Sequence, residues 1–169
     1  CKYGKELVKS PIRVKIQNLG GEVNTPESEY RPLINADESV LLFTSTRATG
    51  LSGDKINPAS GGYFEDVYMS VKEDGKWTAA QNIGKPINSE ANDALSGFSV
   101  DGQKCIVYIG KPGDMGDLYE SELNGKIWSK PDHMNKNINT NSNESSAWYS
   151  PDGRTCLLYT SDAADEYSG

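Results

Sequence analysis

Short runs of alternating apolar and polar residues recur along the chain, and they predict β-strands. The first four runs are rich in β-branched and aromatic residues and cover 30–34, 40–45, 66–71 and 77–83. Turn dipeptides follow the same plan in the later part of the chain, where Asp101-Gly102 and Asn124-Gly125 separate successive runs. Glycine supplies the positive φ that a tight hairpin needs. The pattern therefore predicts antiparallel hairpins joined into meanders.

The first 18 residues depart from this pattern. Residues 1–8 have the character of the last turns of a helix that stops before Pro11, because proline cannot continue a helix. Residues 12–16 alternate and predict a lead-in strand.

The strand pattern is an internal repeat. Asp66 recurs as Asp117 and Trp77 recurs as Trp128, each 51 residues later, whereas Asp37 and Asp101 are 64 residues apart. The 13 extra residues fall within the Gly-, Ser- and Pro-rich stretch 46–62, which predicts a loop insertion that leaves the strands in phase.

Four-stranded antiparallel meanders at a period of about 50 residues are typical of β-propeller blades. We therefore predict an all-β chain, a partial β-propeller with about two and a half four-stranded blades. The predicted divisions are a preceding helical region with its lead-in strand, blade 1, blade 2 and the start of blade 3, at 1–18, 19–87, 88–138 and 139–155.

Composition narrows the possible functions. The formal net charge is −7, from 17 basic and 24 acidic residues, and the lysines are scattered singly. Such a surface repels the phosphates of nucleic acids, so we expect no nucleic-acid partner. No apolar run approaches the roughly 18 residues that span a bilayer, so we expect no membrane span.

The residues that catalysis or metal binding would need are sparse. His133 is the only histidine, and it is expected in a surface loop between blades, away from any nucleophile or second metal ligand. We therefore expect no enzymatic activity, no catalytic residue, no cofactor and no metal site. Cys105 is expected to be buried in a strand, and Cys105 and Cys156 occupy equivalent positions of successive repeats, too far apart for a disulfide.

The repeat motifs resemble a known family. The segments 88–90, 117–119 and 150–154, which read Asn-Ser-Glu, Asp-Leu-Tyr and Ser-Pro-Asp-Gly-Arg, and Gly75-Lys76-Trp77 resemble the WD-repeat-like propeller repeat of TolB-type proteins. The nearest version is that of bacterial envelope proteins with tetratricopeptide repeats before the propeller and an OmpA-like peptidoglycan-binding domain after it. The resemblance covers about residues 7–155.

The resemblance implies a non-enzymatic protein-binding scaffold in the periplasm or at the outer membrane. Its implied partners are other envelope proteins, and peptidoglycan through a domain that is not in this chain. The alternative is the substrate-gating propeller of a prolyl-oligopeptidase-like hydrolase, whose catalytic triad would lie elsewhere.

The end of the chain resembles something other than a protein family. Residues 156–166 are similar to the translation of a sequencing-library adaptor. Residues 157–161 within this segment also fit the repeat as a strand of the third blade. We expect 156–169 to be an artefact and exclude it from functional reasoning.

Two groups of residues are singled out. The first holds the blades together through turns, strand starts and packing aromatics, and comprises Asp37, Asp66, Tyr68, Trp77, Asp101, Gly102, Asp117, Tyr119, Trp128, Asp152 and Gly153. The second is the candidate binding loop 46–62, where Leu51 and Ile56, with Tyr63 directly after the loop, offer apolar contacts. Insertions into repeats often form the binding face.

Overall fold

The computed structural model describes residues 2–9, 11, 13–111, 114–141 and 144–160. Strands make up 42% of the structure, and α1 (Lys2–Lys9) is the one helix among the described residues. The prediction of an all-β chain is confirmed. Cys1 lies outside the described residues.

The strands form three antiparallel sheets in chain order. The first sheet contains β1 (Glu29–Ile34), β2 (Val40–Ser45), β3 (Asp66–Glu73), β4 (Lys76–Trp77) and β5 (Gln81–Asn82). The second contains β6 (Asp93–Phe98), β7 (Lys104–Lys111), β8 (Asp114–Asn124), β9 (Ile127–Trp128) and β10 (Asp132–His133). The third contains β11 (Glu144–Tyr149) and β12 (Cys156–Thr160).

Each complete sheet is the predicted meander, with one correction. The fourth run, expected as one strand over 77–83, is two strands of two residues, β4 and β5, which both pair with β3. Between them the backbone turns away, because Thr78 bonds with Ser70 and Val71 and the Ala80 amide donates to Glu22. The lead-in strand predicted over 12–16 is also wrong: residues 13–16 belong to neither helix nor strand.

The predicted turns sit where the glycines indicate. Gly102 and Gly153 have φ of 71° and 66°, and Glu38 adopts a φ of 58° at the equivalent place in the first sheet. Asp101 accepts the amide of Gln103 in this turn. Asp37 and Asp152 accept the equivalent amides, of Ser39 and Arg154.

The second sheet is buried on both faces, as the period of two along β7 shows. Cys105 and Val107 join Leu42 and Leu95 in the core between the first and second sheets. The alternate residue Ile106 packs with Leu118 and with Ala147 and Tyr149 of the third sheet. Alternate side chains of a strand point to opposite faces, so one strand serves two interfaces. Cys105 is a buried free thiol and Cys156 is also free, as predicted.

An asparagine side chain joins each complete sheet to the next segment. Asn88 accepts the Val67 amide at 2.9 Å and donates to the Val67 carbonyl at 2.8 Å. Asn139 repeats both bonds with Leu118, at 3.0 and 2.8 Å. We call this arrangement the asparagine clamp. A buried strand has backbone groups that must be paired, and the clamp pairs those of one residue.

We predict that Asn88→Ala lowers the free energy of unfolding by about 2 kcal/mol, because the buried Val67 amide loses its acceptor. Urea denaturation followed by tryptophan fluorescence measures the change. The matched control is Asn24→Ala at the equivalent position of the first repeat, whose side chain makes no hydrogen bond within the described residues. The control is expected to change stability by less than about 0.5 kcal/mol, and an equal loss in both variants would contradict the clamp.

Candidate functional site

A second repeated element, which we call the carboxylate latch, stands at the entry to each sheet. A threonine or serine donates its backbone amide and its hydroxyl to a carboxylate four residues later. The three latches are Thr25–Glu29, Ser89–Asp93 and Thr140–Glu144. The pairing fixes the first residue of β1, β6 and β11. Sequence reasoning missed this element, although its signal was a hydroxyl residue directly after each repeated asparagine.

The strand-start aspartates form a network with the clamp. In the first sheet Asn82 donates to Asp66 at 3.1 Å, and Asn88 donates to Asn82 at 2.8 Å. In the second sheet His133 takes the place of Asn82. Its Nε2 lies 3.3 Å from Asp117 Oδ2 and 3.2 Å from Asn139 Nδ2.

His133 is exposed at the surface as expected, but it lies in a strand and not in a loop, so that part of the prediction is wrong. It belongs to β10 and contacts the ring of Tyr119 edge-on, with centroids 5.1 Å apart. Adding the repeat period of 51 residues to Asn82 gives position 133, so the repeat could have predicted this position in the second sheet. The contacts of the half-exposed ring with Asp117, Asn139 and Tyr119 account for its position.

The candidate binding loop lies between β2 and β3 and is fastened along its length. The Leu51 amide donates to Asp66 Oδ2 at 2.6 Å. The Ser52 hydroxyl donates to the Glu90 carbonyl, and the Asn57 amide group donates to Asn92. Three anchors to the start of β3 and to residues 90–92 hold the loop against the junction between the first two sheets.

The loop presents apolar side chains outward. Leu51 is 38% exposed and Ile56 is 53% exposed. Tyr63 is half-buried and pairs with Ile56 through an isolated β-bridge. Ser52 and Asn57 are buried beneath them. Of the three predicted contact residues, Leu51 and Ile56 are available at the surface and Tyr63 supports the loop.

Arg47 ties the start of the loop to the first latch. Its guanidinium bonds Glu29 at 3.0 Å and the Val23 carbonyl at 2.8 Å, and it lies over the ring of Tyr68, 4.6 Å from the centroid. Burial opposes ionisation of Glu29, but the bonds from Thr25 and the charge of Arg47 outweigh it and lower the pKa. This carboxylate is therefore held as an anion.

The carboxylates beneath the loop have a different environment. Asp66 is 1% exposed and Asp93 is fully buried. Burial raises the pKa of Asp66 to about 6 and the pKa of Asp93 to about 7, despite hydrogen bonds from Leu51 and Ser89 that oppose the rise. The negative charge of Asp66 adds to the shift of Asp93.

The remaining repeat residues have structural positions. Tyr68 is buried and stacks on Phe43, and Trp128 packs against Phe98. Trp77 packs on the outer face of the first sheet. Trp148, in contrast, is 46% exposed on β11.

Trp148 lines a groove of about 480 Å³, together with Arg31 and Leu33. Arg31 crosses the groove and donates to the carbonyls of Leu95 and Ser145. We assign no binding role to the groove, because its wall includes residues 157 and 158 of the adaptor-like segment.

Among the described residues, no group of three or more His, Cys, Asp or Glu side chains has an arrangement that could hold a metal ion. In the same part of the chain, no helix has the length and apolar character needed to cross a membrane.

Comparison with known proteins adds no family. No protein-family model and no curated protein matches this chain.

We expect that asparagine, the residue at the equivalent position of the first repeat, can replace His133 without loss of stability. His133→Asn should keep the free energy of unfolding within about 0.5 kcal/mol, because Asn supplies separate donor and acceptor atoms where the ring offers Nε2 alone. His133→Leu should cost about 1 kcal/mol. Urea denaturation distinguishes the two, and an Asn variant as unstable as the Leu variant would show that the networks are not equivalent.

Gly50→Ala is expected to destabilise the chain by about 2 kcal/mol, because the added Cβ would overlap the Asp66 carboxylate, and the loop would have to shift. Gly62→Ala in the same loop is the matched control, since its Cβ meets only the Ser60 hydroxyl at 3.9 Å. Thermal denaturation measures both. Equal melting temperatures would show that the loop is not held against Asp66.

Proposed function

We propose that the chain is part of a TolB-type β-propeller and serves as a non-enzymatic scaffold that binds other cell-envelope proteins through the loop 46–62. The observation that carries the proposal is the anchored loop with Leu51 and Ile56 exposed. An insertion held by three side-chain anchors on a repeated framework is a prearranged contact surface, and prearrangement reduces the entropy lost on binding.

Sheet packing supports the propeller part of the proposal. The first and second sheets meet through the same kind of face as the second and third, with a cross-sheet hydrogen bond at each interface. Thr44 accepts the Leu95 amide at 2.9 Å, and Ser96 accepts the Ala147 amide at 2.7 Å. The two acceptors lie on different strands, β2 and β6, but both donors lie on the first strand of the following sheet. Face-to-face packing of successive antiparallel sheets is what blades around an axis require.

The outer face of the first sheet supports the presence of a further blade. Leu41 and Phe43 lie there, 64 residues before Cys105 and Val107, which pack between the first two sheets. Leu19, at 46% exposed, and Asn24 line a shallow groove on this face. We infer that a third strand of another blade packs here and that Asn24 clamps its backbone.

Site-specific photocrosslinking tests the binding role. A photoreactive phenylalanine at Ile56, in the full chain incubated with an envelope extract of the producing organism, is expected to give one discrete adduct with a protein. The same probe at Ile127, which is 71% exposed on the second sheet, is the matched control and is expected to give none. Leu51→Ser should abolish the adduct at position 56.

Two results would contradict the proposal. Equal adducts at both positions would indicate non-specific contact, and the absence of an adduct at position 56 would remove the loop as a binding surface. Cosedimentation with purified peptidoglycan is the second control. The chain alone should remain in solution, because peptidoglycan binding is assigned to another domain.

A further inference from the structure

Asp66 and Asp93 leave two carboxylate oxygens buried without partners. Asp66 Oδ2 accepts hydrogen bonds from Leu51 and Asn82, and Asp93 Oδ2 accepts two from Ser89 at 2.6 and 2.8 Å. Within the described residues, Oδ1 of each aspartate is shielded from solvent and has no hydrogen-bond partner. A buried unpaired charge is costly.

The two aspartates are neighbours. The Asp93 amide donates to the carbonyl of Glu65, the residue before Asp66, at 2.8 Å. Ionising both would therefore place two negative charges near each other in a dehydrated place, where each disfavours the other. A proton on either carboxyl removes one of the two buried charges.

Two carboxylates at equivalent places of the repeat have other partners. Glu29 pairs with Arg47 at 3.0 Å, and Asp117 lies 3.3 Å from His133. At the Asp66–Asp93 pair the corresponding network residue is Asn82, which has no charge.

Among the described residues, the charged groups on the surrounding elements do not supply a counter-charge. Lys55 in the loop forms an ion pair with Glu90 at the surface. Arg47 forms an ion pair with Glu29. Glu65 adds negative charge and raises the pKa of Asp93 further; it also hydrogen bonds the Tyr30 hydroxyl.

We propose that Asp66 and Asp93 form a buried carboxyl pair that holds a proton at mildly acidic pH, and that loss of this proton loosens the loop 46–62. The reaction is a proton transfer from one carboxyl to water, and the product is two adjacent buried anions. The loop responds because it covers the pair: Leu51 is bonded to Asp66, and Ser52 and Asn57 are anchored to residues 90 and 92, beside Asp93. Water therefore reaches the two buried anions only when the loop moves away.

The direction of the pH dependence follows from proton uptake. Aspartate in the unfolded chain titrates near 3.8, and in the folded chain burial raises the pKa to about 6 for Asp66 and about 7 for Asp93. The folded state therefore binds more protons than the unfolded state between these values. The stability of the folded state is therefore greatest at the acidic end of this pH range, and it declines as the pH rises through 6 and 7.

The consequence for partner binding rests on the proposed function, but the loosening of the loop does not. Hydrogen exchange of the loop in the absence of any partner tests the pair alone, whereas photocrosslinking tests the binding role. A negative result in one of these experiments does not contradict the proposal that the other one tests.

The experiment is hydrogen–deuterium exchange of the full chain from about pH 5 to about pH 8, with times corrected for the intrinsic exchange rate. Peptides spanning 50–57 are expected to lose protection by about tenfold or more as the pair ionises, since one pKa unit corresponds to a factor of ten. Asp93→Asn removes one of the two ionisable carboxyls, so the loop should stay better protected at about pH 8 than in the unaltered chain. Asp101→Asn, in an exposed hairpin turn, is the matched control and should behave like the unaltered chain.

Several results would overturn the proposal. One is loop protection that does not change with pH in the unaltered chain, and another is an Asp93→Asn variant that retains the full pH dependence. If calcium chloride restores protection at about pH 8 in the unaltered chain, a cation and not a proton neutralises the pair. Should Asp93→Asn fail to fold, Asp66→Asn provides the same measurement.

Discussion

In each complete sheet, one asparagine side chain takes the place of a neighbouring strand. Asn88 pairs with both backbone groups of Val67, and Asn139 does so with Leu118. These strands lie in the middle of their sheets, where water cannot satisfy an unpaired amide. The clamp fixes where the chain leaves one sheet, and the latch that follows within one residue fixes where it enters the next. The face-to-face packing of the sheets depends on that placement.

This constraint explains how the loop 46–62 can be inserted without disturbing the repeat. The strands on either side are held by pairing, clamp and latch, so extra residues between β2 and β3 can be added at the surface. The loop then uses the existing structure for its own anchors: Asp66, which begins β3, and the segment between clamp and latch. A structural repeat element thereby also becomes the support of the candidate binding surface.

The three latches share their geometry, but their carboxylates differ in whether a positive charge lies beside them. Glu29 is stabilised as an anion by Arg47, whereas Asp93 is buried beside Asp66 without a counter-charge in the described residues. The difference comes from the loop, because Arg47 begins it and Leu51 binds Asp66. The electrostatics of the first junction are therefore tied to the one segment that breaks the repeat.

Much of the fold could be predicted from the sequence, because alternation and turn glycines are local signals. Strands 40–45 and 66–71, the turn at Gly102 and the position of the insertion agree with the structure. The split of the fourth strand was missed because it depends on the Thr78 hydroxyl, which accepts the Val71 amide of β3. The latch and the role of His133 needed residue-by-residue alignment of the repeats, and the missing counter-charge at Asp93 became visible only once distant segments were brought together.

The most direct measurement of the central constraint is backbone amide exchange by nuclear magnetic resonance on the unaltered chain. If the asparagine clamps hold the sheets together, the amides of Val67 and Leu118 exchange as slowly as the most protected strand amides, through global opening alone. If these two amides exchange as fast as those of the exposed hairpin turns, the side-chain bonds do not persist in solution, and the account of how the sheets are joined is wrong.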